Sequence, residues 1–305
     1  MTTLVFGHKS PDTDSTGSPL IWEWFLNHSG VDARAALLGQ PNTEAAFVAQ
    51  RWGFELPQVI DDVTDGQPCV IVDTNNPAEL PSGINNADVQ AIIDHHKLVG
   101  GLETKGPIDI TIRPLACTAT IMHQLMGDAA AEMPEVIKGL MLSCILSDTL
   151  AFRSPTTTDT DKSLAEALAA DLGLDLHAYA GEMFEAKSDV SEFSDAELLR
   201  MDSKEYAVAG TRFRVSVLET TAPKMILDRK DSIMESMGSV ATEDGVDQVL
   251  LFVVDILNEE ATMLIPNDLT KRVAEASFGA TVEGDTVVLP GIMSRKKQII
   301  PNLAL

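Results

Sequence analysis

The chain has 305 residues, with 22 Lys and Arg against 46 Asp and Glu, which gives a formal charge of −24. An apolar fraction of 45% with 22% charged residues excludes a disordered or collagen-like chain and predicts one large domain or two smaller ones. So acidic a chain repels polyanions: no nucleic-acid partner and no membrane are expected, and an anionic substrate would need positive charge supplied by its own site, from metal ions or a few clustered Lys and Arg.

Cys69, Cys117 and Cys144 show no C-x-x-C spacing and stand in apolar stretches, which predicts buried free thiols and a reducing, cytoplasmic address. The start MTTLVFGHKSPDTD has no basic n-region and is not read as a secretory signal. The longest apolar run, Val249 to Val254, is far short of the roughly 20 residues of a membrane span. The acidic excess predicts a solvated surface whose self-repulsion salt relieves, as in a saline or cold habitat.

In chain order, Leu4 to Phe6 reads as a strand, followed by a polar loop and a helix from Pro19 to Leu26. Asn42 to Trp52 reads as a helix that Thr43 could cap, and strands follow at Cys69 to Val72 and Val89 to Ile93. Cys117 to Met126, Met133 to Leu146 and Asp161 to Leu172 have helical spacing, the last with Asp159 or Thr160 as its expected cap. Alternating strands and helices predict an α/β domain, residues 1–188, built on a mostly parallel sheet flanked by helices. Ala180 to Ser194, rich in Glu, Asp, Ser and Lys, reads as a separator with a hinge near 189–194.

A smaller α+β domain, residues 195–305, is expected after it. Its strands are read at Phe213 to Leu218, Gln248 to Ile256, Ala261 to Ile265 and Thr286 to Leu289, with helices near Ala222 to Met237 and Asp268 to Ala276. It ends in the densest basic run of the chain, Ser294 to Gln298. The active site is expected in the cleft between the two domains.

Three predicted strands run into polar clusters: His8-x-x-x-Asp12-x-Asp14, Asp73-Thr74-Asn75 and Asp94-His95-His96. Ligands of parallel sheets bind outside the carboxyl ends of strands, where these clusters fall. The first could also be an ordinary polar loop in which Asp14 caps the next helix. Read from Asp12 to Glu23 it nearly satisfies an EF-hand calcium loop, although a strand precedes it and Pro19 takes the eighth position. Asp148, ending an apolar helix, needs a cation or a donor to stay charged. His8, Asp12, Asp14, Asp73, His95 and Asp148 supply enough oxygen and nitrogen ligands for two metals sharing one carboxylate. Such ligation without Cys favours Mn2+ or Co2+, with Mg2+ and Zn2+ as competitors. His28, His123 and His177 read as surface or structural histidines.

GHKSPDTDS, VDTNN, IIDHHK, SDTLAFRSPTTTD, MDSKEY and SRKKQIIP, in this order over nearly the whole chain, resemble the motifs of the manganese- or cobalt-dependent family II inorganic pyrophosphatases of the DHH phosphoesterase superfamily. The resemblance implies metal ligands at His8, Asp12, Asp14, Asp73, His95 and Asp148, with Asp73 as a bridge. It implies phosphate contacts from His96, Lys204, Arg295 and Lys296. It further implies hydrolysis of pyrophosphate with two Mn2+ or Co2+ per subunit, a further Mg2+ with the substrate, no organic cofactor and a homodimer through the first domain. Attack would come from a water held between the two ions, with the basic residues of the second domain closing on the phosphates.

Many members carry His where this chain has Thr74, so a ring near the substrate is replaced by a hydroxyl. The stretch before Asp148 leaves no room for CBS modules. A sister phosphoesterase acting on short oligonucleotides or cyclic dinucleotides would use the same first four motifs. It would also carry a glycine-rich GGGH-like segment, which this chain lacks, and 5% aromatic residues offer few stacking platforms. Thermal stability is expected to rise with added NaCl; a melting temperature that falls with salt would contradict the acidic-surface reading.

Overall fold

The computed structural model describes all residues, Met1–Leu305, as two compact units, Met1–Lys187 and Ser188–Leu305. In the first unit, strands β1 (Thr3–Phe6), β2 (Ala33–Leu37), β3 (Gln58–Val59), β4 (Pro68–Val72), β5 (Asp88–Asp94) and β6 (Asp109–Ile112) form one sheet in the order β3-β2-β1-β4-β5-β6. Every pairing is parallel. All five residues of β4 are buried, as expected of a parallel strand covered on both faces. The helices are α1 (Thr13–His28), α2 (Thr43–Trp52), α3 (Thr118–Met126), α4 (Glu135–Asp148), α5 (Asp159–Asp171) and α6 (Leu176–Lys187). One side of the sheet buries Phe6, Ala36, Cys69, Ile71 and Ile92 against Leu80 and Ile84 of the β4–β5 connection. Helix α1 packs on β1, β2 and β4 and in turn against α4, whose run Leu140 to Ser147 is wholly buried. The strand order reverses direction between β1 and β4, the position at which parallel sheets open a crevice at their carboxyl ends.

The second unit holds α7 (Asp195–Met201), β7 (Ser203–Val208), β8 (Thr211–Thr220), α8 (Pro223–Leu227), α9 (Lys230–Asp244), β9 (Gln248–Asp255), β10 (Glu260–Leu264), α10 (Asp268–Phe278) and β11 (Thr286–Pro290). Its mixed sheet runs β11-β10-β9-β8-β7, with only β8 and β9 parallel. Strand β9 alternates strictly: Leu250, Phe252 and Val254 join a core with Val273 of α10 and Ile299, while Val249, Leu251 and Val253 join one with Leu198 of α7 and Met237 of α9. Each such side chain stabilises by about 1.5–3 kcal/mol on full burial. Arg229 holds the start of this unit, donating to the carbonyls of Val190 and Phe193 and to Asp195.

Several local expectations are corrected. Helix α1 starts at Thr13, six residues before the expected Pro19, because its first turns bury polar side chains, Thr13 to Thr16 and Ser18, and so carry no apolar periodicity. Asp12, not Asp14, caps it by accepting from the Ser15 amide at 2.9 Å. Asn42 rather than Thr43 caps α2, and Thr158, in a capping box with Asp161, caps α5. The expected separator is largely helix α6, whose polar residues face outward while Tyr179, Ala180, Met183 and Phe184 are buried. The helix expected over Ala222 to Met237 breaks at Asp228 and Arg229. Strands β2 and β6 escaped notice because one is alanine-rich and the other exposes Asp109 and Ile110.

Gly139, inside α4, lets Trp52 lie against the helix; a Cβ there would stand 2.3 Å from the indole. Trp52 is pinned by donating to the Tyr179 hydroxyl at 2.8 Å. Helix propensity favours alanine by about 1 kcal/mol, but forcing a methyl into packed space costs about 1–3 kcal/mol. Gly139→Ala is therefore expected to lower the urea midpoint with an unchanged m-value.

Candidate metal centre

The strand ends and two helix ends of the first unit deliver the candidate ligands. After β1, Gly7 passes so close to α1 that a Cβ would lie 2.1 Å from Ser15 Oγ. That hydroxyl accepts from the His8 amide at 2.8 Å and fixes where His8 leaves the strand. After β4, Asp73 adopts φ +58°, a left-handed conformation that costs a non-glycine residue on the order of 1 kcal/mol, and its amide donates to the Ile93 carbonyl. Strand β5 ends in Asp94, His95 and His96 follow it, and Asp148 closes α4.

Asp73 stands at the middle. Its Oδ2 lies 3.5 Å from His8 Nε2 and its Oδ1 lies 3.3 Å from His95 Nε2, so its two oxygens face different imidazoles. His8 Nε2 is also 3.9 Å from Asp12 Oδ1. The candidate donor atoms gather in three sets, His8 with Asp12 and Asp73, Asp73 with His95 and His96, and Asp14 with Cys117 and Asp148, each within 4.8 Å. Helix α3 braces the carboxylates: the Thr118 amide donates to Asp14 Oδ2 at 2.7 Å and its hydroxyl to Asp73 Oδ1 at 3.0 Å. Asp14 Oδ1 accepts from Ser18 at 2.6 Å. His95 Nδ1 faces the Leu115 carbonyl at 3.3 Å, so Nε2 is left with its lone pair toward Asp73.

The electrostatics ask for cations. No Lys or Arg pairs with Asp12, Asp14, Asp73 or Asp148; their only ionic partners are imidazoles. Desolvation, and then the charges of Asp14 and its neighbours, push Asp73 and Asp148 well above the usual carboxylate range. Asp148 Oδ2 is enclosed and has no hydrogen-bond partner. Carboxylates crowded without lysine or arginine and braced only by neutral hydroxyls and amides, beside two imidazole nitrogens, are a donor set that fits hard or borderline divalent cations.

His96 stands at the edge of this cluster, its ring Nδ1 3.9 Å from Asp73 Oδ1. Its ring Nδ1 lies 2.9 Å from Asp94 Oδ1, and that hydrogen bond raises the imidazole above its ordinary value. Against the opposing effect of burial, hydrogen bonds from the His96 ring and amide and from Asn75 hold Asp94 low. Thr74 is buried and donates its hydroxyl to Glu79 at 2.7 Å.

The remaining candidates belong to the second unit. Lys204 lies on β7 and is exposed. Ser294 to Ile300 is a wide helical turn with hydrogen bonds to the fifth residue, anchored by fully buried Ile299. Arg295 in it donates to the Asp202 carbonyl at 2.8 Å and pairs with the Asp202 carboxylate at 2.7 Å, beside the start of β7. Lys296 is exposed.

Family models described as the DHH family, N-terminal domain, and the DHHA2 domain match residues 2–147 and 181–304. A probable manganese-dependent inorganic pyrophosphatase of Lactobacillus helveticus (strain DPC 4571) is 35% identical over 302 residues, covering 98% of this chain and 97% of that protein. The chain belongs to the manganese-dependent, family II inorganic pyrophosphatases. A member of that family from Deinococcus radiodurans is 39% identical over 304 residues, covering 98% of this chain and 96% of its own. The crystal structure of the Methanococcus jannaschii putative family II inorganic pyrophosphatase superposes with a TM-score of 0.61 at 33% identity, covering 99% of this chain and 98% of that one.

Membership carries the DHH motifs and the second, DHHA2 region together. The EF-hand reading falls, because Thr13 to Glu23 is helix and Glu23 accepts from the Ala35 amide at 3.0 Å. Of the remaining histidines, His28 is exposed and pairs with Glu132, His123 sits on α3 and His177 is exposed. The parts of Thr118 and Asn75 depend on residues far away in sequence, and that of Ser15 on His8 and Asp12 nearby; none of the three carries a distinctive sequence signal.

Proposed function

We propose that this chain hydrolyses inorganic pyrophosphate to two phosphates, with two Mn2+ or Co2+ held by His8, Asp12, Asp14, Asp73, His95 and Asp148. The observation that carries the reading is Asp73 facing His8 with one oxygen and His95 with the other, amid carboxylates that have no basic partner. Bound divalent cations supply Lewis-acid polarisation of phosphoryl oxygens and a water acidic enough to attack at neutral pH.

The protein's own groups do the rest. Pyrophosphate carries three to four negative charges, and each phosphoryl oxygen needs a donor as charge moves to the leaving phosphate. His96, held by Asp94 through Nδ1, keeps Nε2 free to donate to a phosphate oxygen. Arg295, oriented by Asp202, offers a planar fork, and Lys204 and Lys296 act as mobile point charges. Thr74 is committed to Glu79 and takes no part. A further Mg2+ accompanies the substrate. Both groups would act on one pyrophosphate, so on this reading the second unit closes on the first about the junction of the two units.

A cytoplasmic setting is supported by three cysteines that are buried and unpaired. No helix is long and apolar enough to cross a membrane. A homodimer through the first unit is supported by edge strand β6, where Ile110 is 56% exposed, with Leu98 73% exposed nearby in sequence. Light scattering should give twice the chain mass, and a monomer at micromolar concentration would refute the dimer.

The deciding experiment is phosphate release from pyrophosphate by metal-stripped protein reloaded with Mn2+, with p-nitrophenyl phosphate and a dinucleotide in parallel. Turnover confined to pyrophosphate is expected; cleavage of the dinucleotide would shift the function to the nucleotide phosphoesterases. Asp148→Ala is expected to lose Mn2+ by orders of magnitude in affinity. Arg295→Ala should keep its Mn2+ and lose about 10²-fold in kcat/KM. A kinetically silent Arg295→Ala would rule out closure of the second unit on the phosphates.

A further inference from the structure

Glu44 has no task in the reaction above, yet its carboxylate is fully buried in the first turn of α2. Its Oε2 accepts three hydrogen bonds, from the Thr13 hydroxyl at 2.8 Å, the Ser147 hydroxyl at 2.6 Å and the Lys187 ammonium at 3.2 Å. Its Oε1 is enclosed with no partner. Burying a carboxylate costs several kcal/mol unless it is well paired, and an apolar side chain would fill the same space without that cost. Stability alone does not account for it.

Its partners do. Thr13 stands between Asp12 and Asp14 at the start of α1, and Ser147 precedes Asp148 at the end of α4. Lys187 is the last residue of α6 and of the first unit. One oxygen therefore joins the two helix ends that bear three of the crowded carboxylates, whose mutual repulsion would otherwise drive those ends apart. Both hydroxyl donors are themselves buried, so the link is shielded from water.

We propose that Glu44 is a positioning residue that sets the separation of the Asp12–Asp14 turn from Asp148, and through it the metal affinity of the centre, with Lys187 as its counter-charge at the root of the segment entering the second unit. This rests on the reading of those carboxylates as metal ligands. An amide at position 44 keeps the shape and loses the attraction for Lys187. A methionine at 187 leaves a buried carboxylate matched by two hydroxyls alone, so both changes act in the same direction.

The test measures Mn2+ binding to the full-length, metal-stripped chain from the EPR signal of free Mn2+. Wild type is compared with Glu44→Gln, Lys187→Met, Ser147→Ala and Asp148→Ala, each checked for a cooperative melt by circular dichroism. Glu44→Gln is expected to weaken Mn2+ binding about tenfold or more, the usual effect of removing a group that orients metal ligands. Lys187→Met and Ser147→Ala should weaken it by smaller factors. Should Glu44→Gln not fold, these two variants decide. Wild-type affinity in every folded variant except Asp148→Ala would overturn the proposal and leave the metal assignment standing, even if melting temperatures fell. Wild-type affinity in Asp148→Ala would overturn the ligand assignment and the proposal with it.

Discussion

Four carboxylates brought together without a lysine or arginine are the constraint around which the first unit is organised. At 4 Å two like charges repel by roughly 4 kcal/mol at an effective dielectric of 20, so Asp12, Asp14, Asp73 and Asp148 can be held together only if the surrounding structure opposes them. The opposition is visible in hydroxyl and amide donors from Thr118, Ser18 and Ser15, in the strained backbone of Asp73, and in the Glu44 link beneath. Helix α1 contributes again through its N-terminus, whose partial positive charge faces Asp12 and Asp14. On the proposed function two divalent ions would match the four negative charges, so an anionic substrate would meet a site freed of the chain's overall repulsion.

On the proposed function the two units would divide the work by chemistry. The first carries acids and imidazoles on a rigid parallel sheet, where strand ends are placed by buried pairing on both sides. The second carries Arg295 and Lys296 on a wide turn and Lys204 at a strand start, with Asp202 orienting the guanidinium.

Much of this was legible from local pattern. An apolar run ending in Asp or His is a short-range signal, and at β1, β4 and β5 it located a strand with a candidate ligand at its end. Apolar runs and helical spacing found β9, β10 and α4 for the same reason. The start of α1 was invisible because its inward face is polar and so carries no apolar periodicity. Lys204 showed no strand signature, since β7 is an exposed edge. Thr118, Asn75 and Glu44 could not be read at all: each owes its part to a residue at least 19 positions away, and nothing in a hydroxyl or an amide announces its acceptor.

The strand order also bears on how the site comes into being. Strand β1 leaves the ribosome first but pairs with β4, some sixty residues later, and the last carboxylate, Asp148, arrives only with α4. A nascent chain holding five of the six candidate ligands still lacks the helix that packs α1 against the sheet. Contacts this distant in sequence form slowly, because loop closure must precede any reward. Until α4 docks, the acidic segments are free to separate and hydrate, so the centre becomes competent in one late step, with the closing of the domain itself.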